Sequence, residues 1–210
     1  MDTNQFFIVI EGIDGCGKST QLDLLAQYFS AFQRQPVRVN DPGSSPLALA
    51  LRELLLHKVE VQIEPKQQAL LFTAARSDVA SHIAMLLVSG SDVLCDRWFM
   101  STMTYQGVMG GVSSRALAEM HDYFVGLDPD IYILLDVPVE EAAQRRKHRD
   151  VPDRFESKPL EWQEGLAKAY KMAAISVGAH VIDGTGMASQ VFSRVLDACK
   201  TSEKFRKAFT

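Results

Sequence analysis

The sequence predicts an α/β protein in which a five-stranded parallel sheet carries helices on both faces, as a three-layer sandwich. Five short runs rich in Val, Ile and Leu are typical of buried strands, and segments with the apolar spacing of helices separate them. Strands that alternate with helices in this way indicate a parallel sheet that is covered on both sides. We expect ligands to bind at the carboxyl ends of these strands, where the connecting loops converge.

The first half of the chain contains three of the strands. Phe6–Ile10 is continuously apolar and leads into a glycine-rich loop, while Val37–Asn40 ends at a turn that contains two prolines. Asp92–Cys95 follows Gly90, which ends the preceding helix. The apolar periodicity places the helices between these strands at Thr20–Phe32, Leu47–His57 and Lys66–Val88.

The second half contains the other two strands, at Ile131–Val137 and His180–Asp183. A helix is predicted over Trp98–Gln106, and Ser113 is placed to cap the next one, which we expect to reach Val125. The charged tail, residues 201–210, is expected to fray. The remaining helices are predicted at Val139–Arg149, Leu160–Val177 and Ala188–Cys199.

Length and composition fit one globular domain that spans residues 1–210. A net charge of −4 offers no electrostatic case for binding nucleic acid. The acidic start does not resemble a signal peptide, and the apolar run Ile83–Val88 is too short to span a membrane. The spacing of Cys16, Cys95 and Cys199 fits neither zinc nor disulfides, so we expect reduced thiols in a cytoplasmic protein.

The loop after the first strand matches G-x-x-x-x-G-K-[ST] at every fixed position. Its glycines let backbone N–H groups point at phosphate oxygens, Lys18 is placed to reach the β- and γ-phosphates, and the Ser19 hydroxyl to hold Mg²⁺. A merely structural glycine turn would require neither Lys nor Ser, so we predict a triphosphate site of the P-loop NTPase type. The predicted ATP-binding residues are Gly12, Ile13, Asp14, Gly15, Cys16, Gly17, Lys18, Ser19 and Thr20.

Asp96 and Arg97 directly follow the strand that ends at Cys95. A carboxylate at this place would join the Mg²⁺ shell beside Ser19. The guanidinium of Arg97 would then bind a second phosphate through two N–H groups. The structural alternative is a salt bridge at the end of the strand.

A cationic run begins at Arg145 and lies between two predicted helices. Taken alone, five cationic side chains within ten residues are usually a solvated face. The phosphate loop contains no Arg, however. The run therefore favours a lid, at about residues 145–156, whose arginines close over the transferring phosphoryl group.

Phe72 and Arg76 lie four residues apart and therefore on one face of a helix. The pair suits stacking and hydrogen bonding of a nucleobase, although taken alone it is more typical of a core Phe and a surface Arg. The chain has no N-K-x-D guanine motif, which argues against a GTPase. A phosphate loop, a second phosphate clamp and a lid together predict a nucleoside-monophosphate kinase.

On these residues, the chain resembles the thymidylate kinase (dTMP kinase) family over nearly its whole length. The similar segments occur in the family's order and approximate spacing, and they are FIVIEGIDGCGKSTQ, DPGSSPLALALREL, LLFTAAR, DRWFMSTMTYQG, PDIYILLDV and RRKHRDVPDRFE. The resemblance implies phosphoryl transfer from ATP to dTMP, Mg²⁺ as cofactor and a homodimer formed through packed helices. It also implies the bacterial type, in which the catalytic arginine lies in the lid.

The resemblance also assigns roles to individual residues. Phe72 would stack on thymine, Arg76 would hydrogen-bond the base, and Tyr105 would lie where a ribose 2′-hydroxyl clashes. The implied catalytic residues are Lys18, Arg97, Arg149, Arg145 and Asp14, and the implied metal ligands are Ser19 and Asp96. The implied dTMP-binding residues are Asp14, at the 3′-hydroxyl, with Arg52, Phe72, Arg76, Arg97, Ser101, Thr102, Tyr105 and Gln106.

Three places depart from the family pattern. Asp41 replaces a Glu, Ser44 and Ser45 replace Gly-Thr, and Trp98 stands where Tyr or His is expected. We expect Trp98 to change the wall of the acceptor site, which leaves another (deoxy)nucleoside monophosphate, such as a 5-substituted deoxyuridylate, open as the acceptor. A non-catalytic nucleotide-binding regulator is the more distant alternative.

Overall fold

The structure, a computed structural model, describes residues 5–57, 60–146, 155 and 158–209. Its strands are β1 (Phe7–Glu11), β2 (Val37–Asn40), β3 (Val93–Asp96), β4 (Ile131–Asp136) and β5 (His180–Asp183). They form one parallel sheet in the order β2-β3-β1-β4-β5, with β1 at its centre. The predicted five-stranded parallel sheet is confirmed.

Helices cover both faces of this sheet, as predicted. They are α1 (Lys18–Ala31), α2 (Pro46–Arg52), α3 (Pro65–Val88), α4 (Phe99–Thr102), α5 (Ser114–Phe124), α6 (Val139–Arg146), α7 (Leu160–Ser176), α8 (Ala188–Cys199) and α9 (Glu203–Ala208). On one face α1 packs with α8, and on the other α4 packs with α7 and α3 with α5. The α-helices α2 and α4 end earlier than predicted, because the chain continues from them as the π-helical segments Glu53–His57 and Met103–Val108.

The strand register brings three loops to one edge of the sheet. Asp96, at the end of β3, pairs with Asn40 of β2 on one side and with Ile10 of β1 on the other. The residues that follow these strands therefore emerge side by side. They include the glycine-rich loop, Asp41 and Arg97, which were far apart in the sequence.

The C-terminal tail does not fray, contrary to expectation. Residues 203–208 form α9, and the side chain of Phe205 is fully buried. The rings of Phe205 and Phe209 pack on those of Phe6 and Phe29, with 4.6 Å between the centroids of Phe29 and Phe209. Aromatic side chains spaced along a charged segment supply the apolar area that holds it in place.

The expectation that the chain has no membrane span rested on the shortness of the apolar run Ile83–Val88. Helix α3, which contains that run, is longer. Its 24 residues are long and apolar enough, by length and composition alone, to cross a membrane. A core helix of a globular protein meets the same criteria, and α3 packs against β3, α2 and α5. The length of α3 is therefore weak evidence for a membrane segment.

Candidate active site

The loop between β1 and α1 has the backbone shape of a phosphate cradle. Gly15 and Gly17 have φ angles of 87° and 104°, in the left-handed region that favours glycine. A Cβ atom on Gly15 would lie 2.2 Å from the carbonyl oxygen of Ala142, so this position admits no side chain. The amino end of α1 completes the cradle, because the first N–H groups of a helix have no partner within it and favour an anion.

The ammonium group of Lys18 is buried within this loop. Its Nζ donates to the carbonyl oxygens of Gly12 and Ile13 at 3.1 and 3.4 Å, and it lies 3.4 Å from Oδ1 of Asp14. Burial and the nearby Arg97 act to lower the pKa of Lys18, but Asp14, Cys16 and Asp96 together outweigh them and raise that pKa above its ordinary value. Lys18 therefore remains a cation beside the cradle.

The loop opens onto a polar cavity of about 500 Å³, which we call the phosphate cavity. Its lining includes the two predicted metal ligands, Ser19 and Asp96. Oδ1 of Asp96 is buried and has no hydrogen-bond partner among the described residues, which suits a cation that prefers oxygen ligands. The same residues contain no group of three or more His, Cys, Asp or Glu suited to a metal, so a Mg²⁺ ion would complete its shell with phosphate and water oxygens.

Arg97 lies at one side of the phosphate cavity with a backbone φ of 70°, a conformation that costs a residue with a side chain about 1–2 kcal/mol. Nη2 donates to Oδ1 of Asp14 at 2.6 Å, and Nη1 donates to Oγ of Ser101 at 3.3 Å and to the hydroxyl of Tyr170. Burial acts to raise the pKa of Asp14, but Arg97 and Lys18 hold that pKa well below its ordinary value. An ion pair therefore forms at the end of β3, and it ties Arg97 to the phosphate loop.

A second cavity, of about 240 Å³, shares lining residues with the first, and we call it the acceptor cavity. Phe72 is half-buried and does not belong to the core formed by the described residues, whereas Arg76 is only 2% exposed. The alternative of a core Phe and a surface Arg is therefore wrong for both residues. All the residues predicted to bind dTMP line this cavity, namely Asp14, Arg52, Phe72, Arg76, Arg97, Ser101, Thr102, Tyr105 and Gln106.

Arg76 is held in a fixed orientation by three hydrogen bonds. Nε donates to Oδ2 of Asp41 at 2.6 Å, Nη1 to Oγ1 of Thr102 at 2.9 Å and Nη2 to the carbonyl oxygen of Trp98 at 3.3 Å. A guanidinium carries five N–H groups, so two remain that the described residues do not use. Burial raises the pKa of Asp41, and the ion pair with Arg76 opposes that rise.

The π-helical segment after α4 forms another wall of the acceptor cavity. The Tyr105 ring lies 6.0 Å from that of Tyr170, edge to face. Gln106 is buried, and its Nε2 donates to Oε1 of Gln68 at 3.0 Å. An aromatic ring and an amide therefore face the cavity from a segment whose other contacts fix their positions.

Comparison with known proteins agrees with this geometry. The sequence model of the thymidylate kinase family matches residues 10–195. A thymidylate kinase of Bradyrhizobium sp. (strain ORS 278) is 40% identical over 201 residues, which cover 92% of this chain and 89% of that protein. Thymidylate kinases of Nitrobacter winogradskyi and Chlamydia caviae are 36% and 33% identical, over 96% and 91% of this chain and 93% and 96% of those proteins. The chain belongs to the thymidylate kinase family.

The side chain of Trp98, where the chain departs from the thymidylate kinase pattern, lies in the core rather than in the acceptor cavity. The indole is fully buried, lies edge-on to Phe7 with 5.2 Å between centroids, and donates through Nε1 to the carbonyl oxygen of Leu127 at 3.0 Å. Trp98 is not among the described residues that line the cavity. The expectation that Trp98 changes the cavity wall is therefore wrong, because its ring packs into the core against the guanidinium of Arg76.

Of the two lid arginines predicted from the thymidylate kinase pattern, only Arg145 belongs to the described part of the chain. Arg149 and most of the predicted lid lie outside the described residues. Arg145 donates through Nη1 to the carbonyl oxygen of Cys16 at 3.1 Å and through Nη2 to that of Gly184 at 3.2 Å, and it pairs with Glu141. It thus bridges the phosphate loop and the loop that follows β5.

Sequence reasoning missed several residues of this thymidylate kinase site. Asp41, Pro42, Leu56, His57 and Phe155 also line the acceptor cavity. The turn after β2 and the departure from the family pattern at Asp41 signalled the first two, but neither was predicted to bind a ligand. A third cavity, of about 240 Å³, lies where the phosphate loop meets the loop after β5. Its signal in the sequence was a pair of glycines after a strand, and its lining residues are Cys16, Gly17, Thr20, Gln21, Arg145, Gly184, Gly186, Ala188 and Val191.

Proposed function

We propose that this chain transfers the γ-phosphoryl group of ATP to the phosphate of dTMP, which gives ADP and dTDP. The observation that carries the proposal is that the phosphate and acceptor cavities meet, since Asp14, Asp41, Arg52 and Arg97 line both. One cavity contains the glycine-rich loop, and the other presents an aromatic ring beside a buried arginine. Donor and acceptor phosphates bound in the two cavities would meet beside Arg97.

On the donor side, the backbone N–H groups of residues 12–19 and the ammonium of Lys18 bind the phosphates of ATP. Ser19 and Asp96 would hold Mg²⁺, and the unpartnered carboxylate oxygen of Asp96 supports that assignment. When bound, Mg²⁺ neutralises charge on the phosphate oxygens. The contacts of Arg145 with both neighbouring loops support a role in holding the adenosine end of ATP, in the third cavity.

On the acceptor side, Phe72 stacks on thymine, because its half-buried ring faces the cavity rather than the core. Arg76 hydrogen-bonds the base through the two N–H groups that the described residues do not use. Asp14 meets the 3′-hydroxyl, and Tyr105 excludes a 2′-hydroxyl. Ser101, Thr102 and Gln106 line the base and sugar region, and Arg52 and Arg97 bind the acceptor phosphate.

The chemistry requires no general base. An oxygen of the dTMP phosphate, already ionised at pH 7, forms a bond to the γ-phosphorus. The bond from that phosphorus to the oxygen of the leaving ADP breaks, and its electron pair departs with ADP. The protein contributes orientation and positive charge, which we assign to Lys18, Arg97 and the lid residue Arg149.

We also propose that residues 1–210 form one domain and that two such chains associate in the cytoplasm through α3 and α5. Leu70, Met85 and Val88 are 60%, 65% and 66% exposed and lie on one face of α3, because 15 and 18 residues are about four and five helical turns. At the end of the neighbouring α5, Tyr123 and Phe124 are also exposed. An apolar surface of this kind is typical of a subunit interface.

Light scattering after gel filtration tests the dimer. The wild-type chain is expected to give twice the chain mass, and Met85→Glu is expected to lower that mass. A monomeric wild type would refute the dimer.

The activity is tested with a coupled ADP-release assay that contains ATP, Mg²⁺ and one acceptor at a time. The acceptors are dTMP, dUMP, 5-hydroxymethyl-dUMP, dCMP, dGMP, UMP, thymidine and none. We expect dTMP to dominate, because the core position of Trp98 removes the structural reason for another base. A higher rate with another nucleotide would reassign the acceptor, and nucleotide binding without turnover would indicate a regulator.

A further inference from the structure

Glu11 is the last residue of β1, and its carboxylate is completely buried. Buried carboxylates persist when hydrogen bonds satisfy their oxygens. Oε1 accepts from the backbone N–H of Trp98 at 2.7 Å and from that of Ser101 at 3.0 Å. Oε2 accepts from the hydroxyl of Ser101 at 2.7 Å and from that of Tyr170 at 3.4 Å.

The two backbone hydrogen bonds place Glu11 at the amino end of α4. Trp98 is the N-cap residue of that helix and forms no side-chain capping bond, so the carboxylate from the neighbouring strand takes that place. The residue just before the cap is Arg97, whose left-handed backbone is held by its own N–H, which donates to the carbonyl oxygen of Ile10 at 3.1 Å. Residues 10 and 11 of β1 thus fix the chain at Arg97 and immediately after it.

Glu11 is also connected to the guanidinium of Arg97. The hydroxyl groups of Ser101 and Tyr170 each accept from Nη1 of Arg97 and each donate to Oε2 of Glu11. Nη1 of Arg97 and Oε2 of Glu11 are themselves 3.9 Å apart. The other amino group of Arg97, Nη2, is bonded to Asp14. Burial raises the pKa of Glu11 above its ordinary value, and Arg97 opposes that rise.

We infer that Glu11 is a positioning residue for Arg97. It holds the backbone turn at Arg97 through the N-terminus of α4, and it sets the direction of the guanidinium through Ser101 and Tyr170. The inference rests on the proposed function, in which Arg97 binds the phosphate of dTMP. Glutamine is the sharpest replacement, because it keeps the shape and one acceptor oxygen, while its amide NH₂ cannot accept from the two hydroxyl groups.

Steady-state kinetics of Glu11→Gln, with each substrate varied, test the inference. We expect kcat/KM for dTMP to fall roughly 10- to 100-fold, since a small misplacement of a positioning group has an effect of this size. The KM for ATP should stay within about 2-fold of wild type, because Glu11 is not among the described residues that line the phosphate cavity, where ATP binds. A rise of equal size in the KM for ATP and the KM for dTMP, or an unchanged kcat/KM for dTMP, would overturn the role.

Asp92→Asn is the matched control. Asp92 is also buried, accepts from a backbone N–H, that of Phe6 at 2.8 Å, and pairs with an arginine, Arg34. It precedes β3 and therefore lies at the opposite end of the sheet from the cavities. We expect it to lower the melting temperature and to leave kcat/KM for dTMP unchanged. A loss like that of Glu11→Gln would show that any buried carboxylate has this effect.

A double-mutant cycle with Arg97→Lys separates positioning from general packing. If Glu11 acts through Arg97, Glu11→Gln should cost less than about 3-fold in kcat/KM for dTMP once Arg97 is replaced. Multiplicative losses would overturn the inference. If Glu11→Gln does not fold, Tyr170→Phe replaces it in the same cycle with the same criterion, because the Tyr170 hydroxyl links the two groups.

The wild-type chain is assayed first. Failure of the wild type to phosphorylate dTMP would reject the proposed function itself. An active wild type with an equally active, folded Glu11→Gln variant would reject only the positioning role of Glu11.

Discussion

The donor and acceptor halves of the site are built in different ways. Lys18 is held by Gly12, Ile13 and Asp14, all within six residues of it. The guanidinium of Arg76 is held by Asp41, 35 positions earlier, and by Thr102, 26 positions later. The donor half is therefore a local structure, while the acceptor half exists only when strands β2 and β3 and helices α3 and α4 are assembled.

Arg97 belongs to both halves and explains how they are joined. It is bonded to Asp14 in the phosphate loop, 83 positions away, and it lines the acceptor cavity. Changes in the donor loop should therefore affect turnover with every acceptor. Changes in the acceptor cavity should affect recognition of dTMP first.

The largest effect is expected for Lys18→Ala. Loss of the buried ammonium should lower kcat roughly 10³-fold or more, since it removes a preorganised charge from the transferring phosphoryl group. Calorimetric binding of dTMP should change little, because Lys18 does not line the acceptor cavity among the described residues. Lys66→Ala, at an exposed lysine, is the control. A wild-type kcat for Lys18→Ala would contradict the donor assignment.

The two lid arginines should differ. Arg149→Ala is expected to lower kcat roughly 10²- to 10³-fold, as for other groups that stabilise developing charge. Arg145→Ala should mainly raise the KM for ATP, because its guanidinium is bonded to the carbonyl oxygens of Cys16 and Gly184. Kinetics with ATP varied at saturating dTMP distinguish these outcomes. The reverse pattern would exchange the roles of the two arginines.

Phe72→Ala should raise the KM for dTMP roughly 10-fold through loss of stacking and leave the KM for ATP unchanged. Phe72→Tyr keeps the aromatic face and is expected to retain most of the affinity. The measurement is initial rate against dTMP concentration at saturating ATP. An unchanged KM for Phe72→Ala would show that the ring packs against protein rather than against the base.

The smallest kinetic effect is expected for Trp98→Tyr, which restores a residue typical of the family. The KM for dTMP should stay within about 2-fold of wild type, because the indole does not line the cavity. The free energy of unfolding should fall by about 1–3 kcal/mol, since a smaller ring replaces a fully buried indole and the hydrogen bond from Nε1 to the carbonyl oxygen of Leu127 is lost. Denaturant titration measures this change. A large shift in acceptor preference would return Trp98 to the cavity wall.

Much of the fold was readable from the sequence because its signals are local. The strand before the glycine-rich loop is shifted from the prediction by one residue, to Phe7–Glu11 instead of Phe6–Ile10. That shift matters, because it brings Glu11 into the strand, next to the amino end of α4. A polar residue at the end of an apolar run gave no indication of this contact. The ordered tail was missed for a similar reason, since the partners of Phe205 and Phe209 lie near the other end of the chain.

The sequence by itself determined the phosphate loop, the alternation of strands and helices, and the spacing of Phe72 and Arg76. Each of these features depends on backbone geometry within a few residues, and the local sequence dictates that geometry. Only the tertiary structure decided that Arg76 is buried, that Trp98 faces the core and that Glu11 supports Arg97. Periodicity identifies which side chains share a face, but the partner of that face depends on sheet register and helix packing, which join residues far apart in the chain.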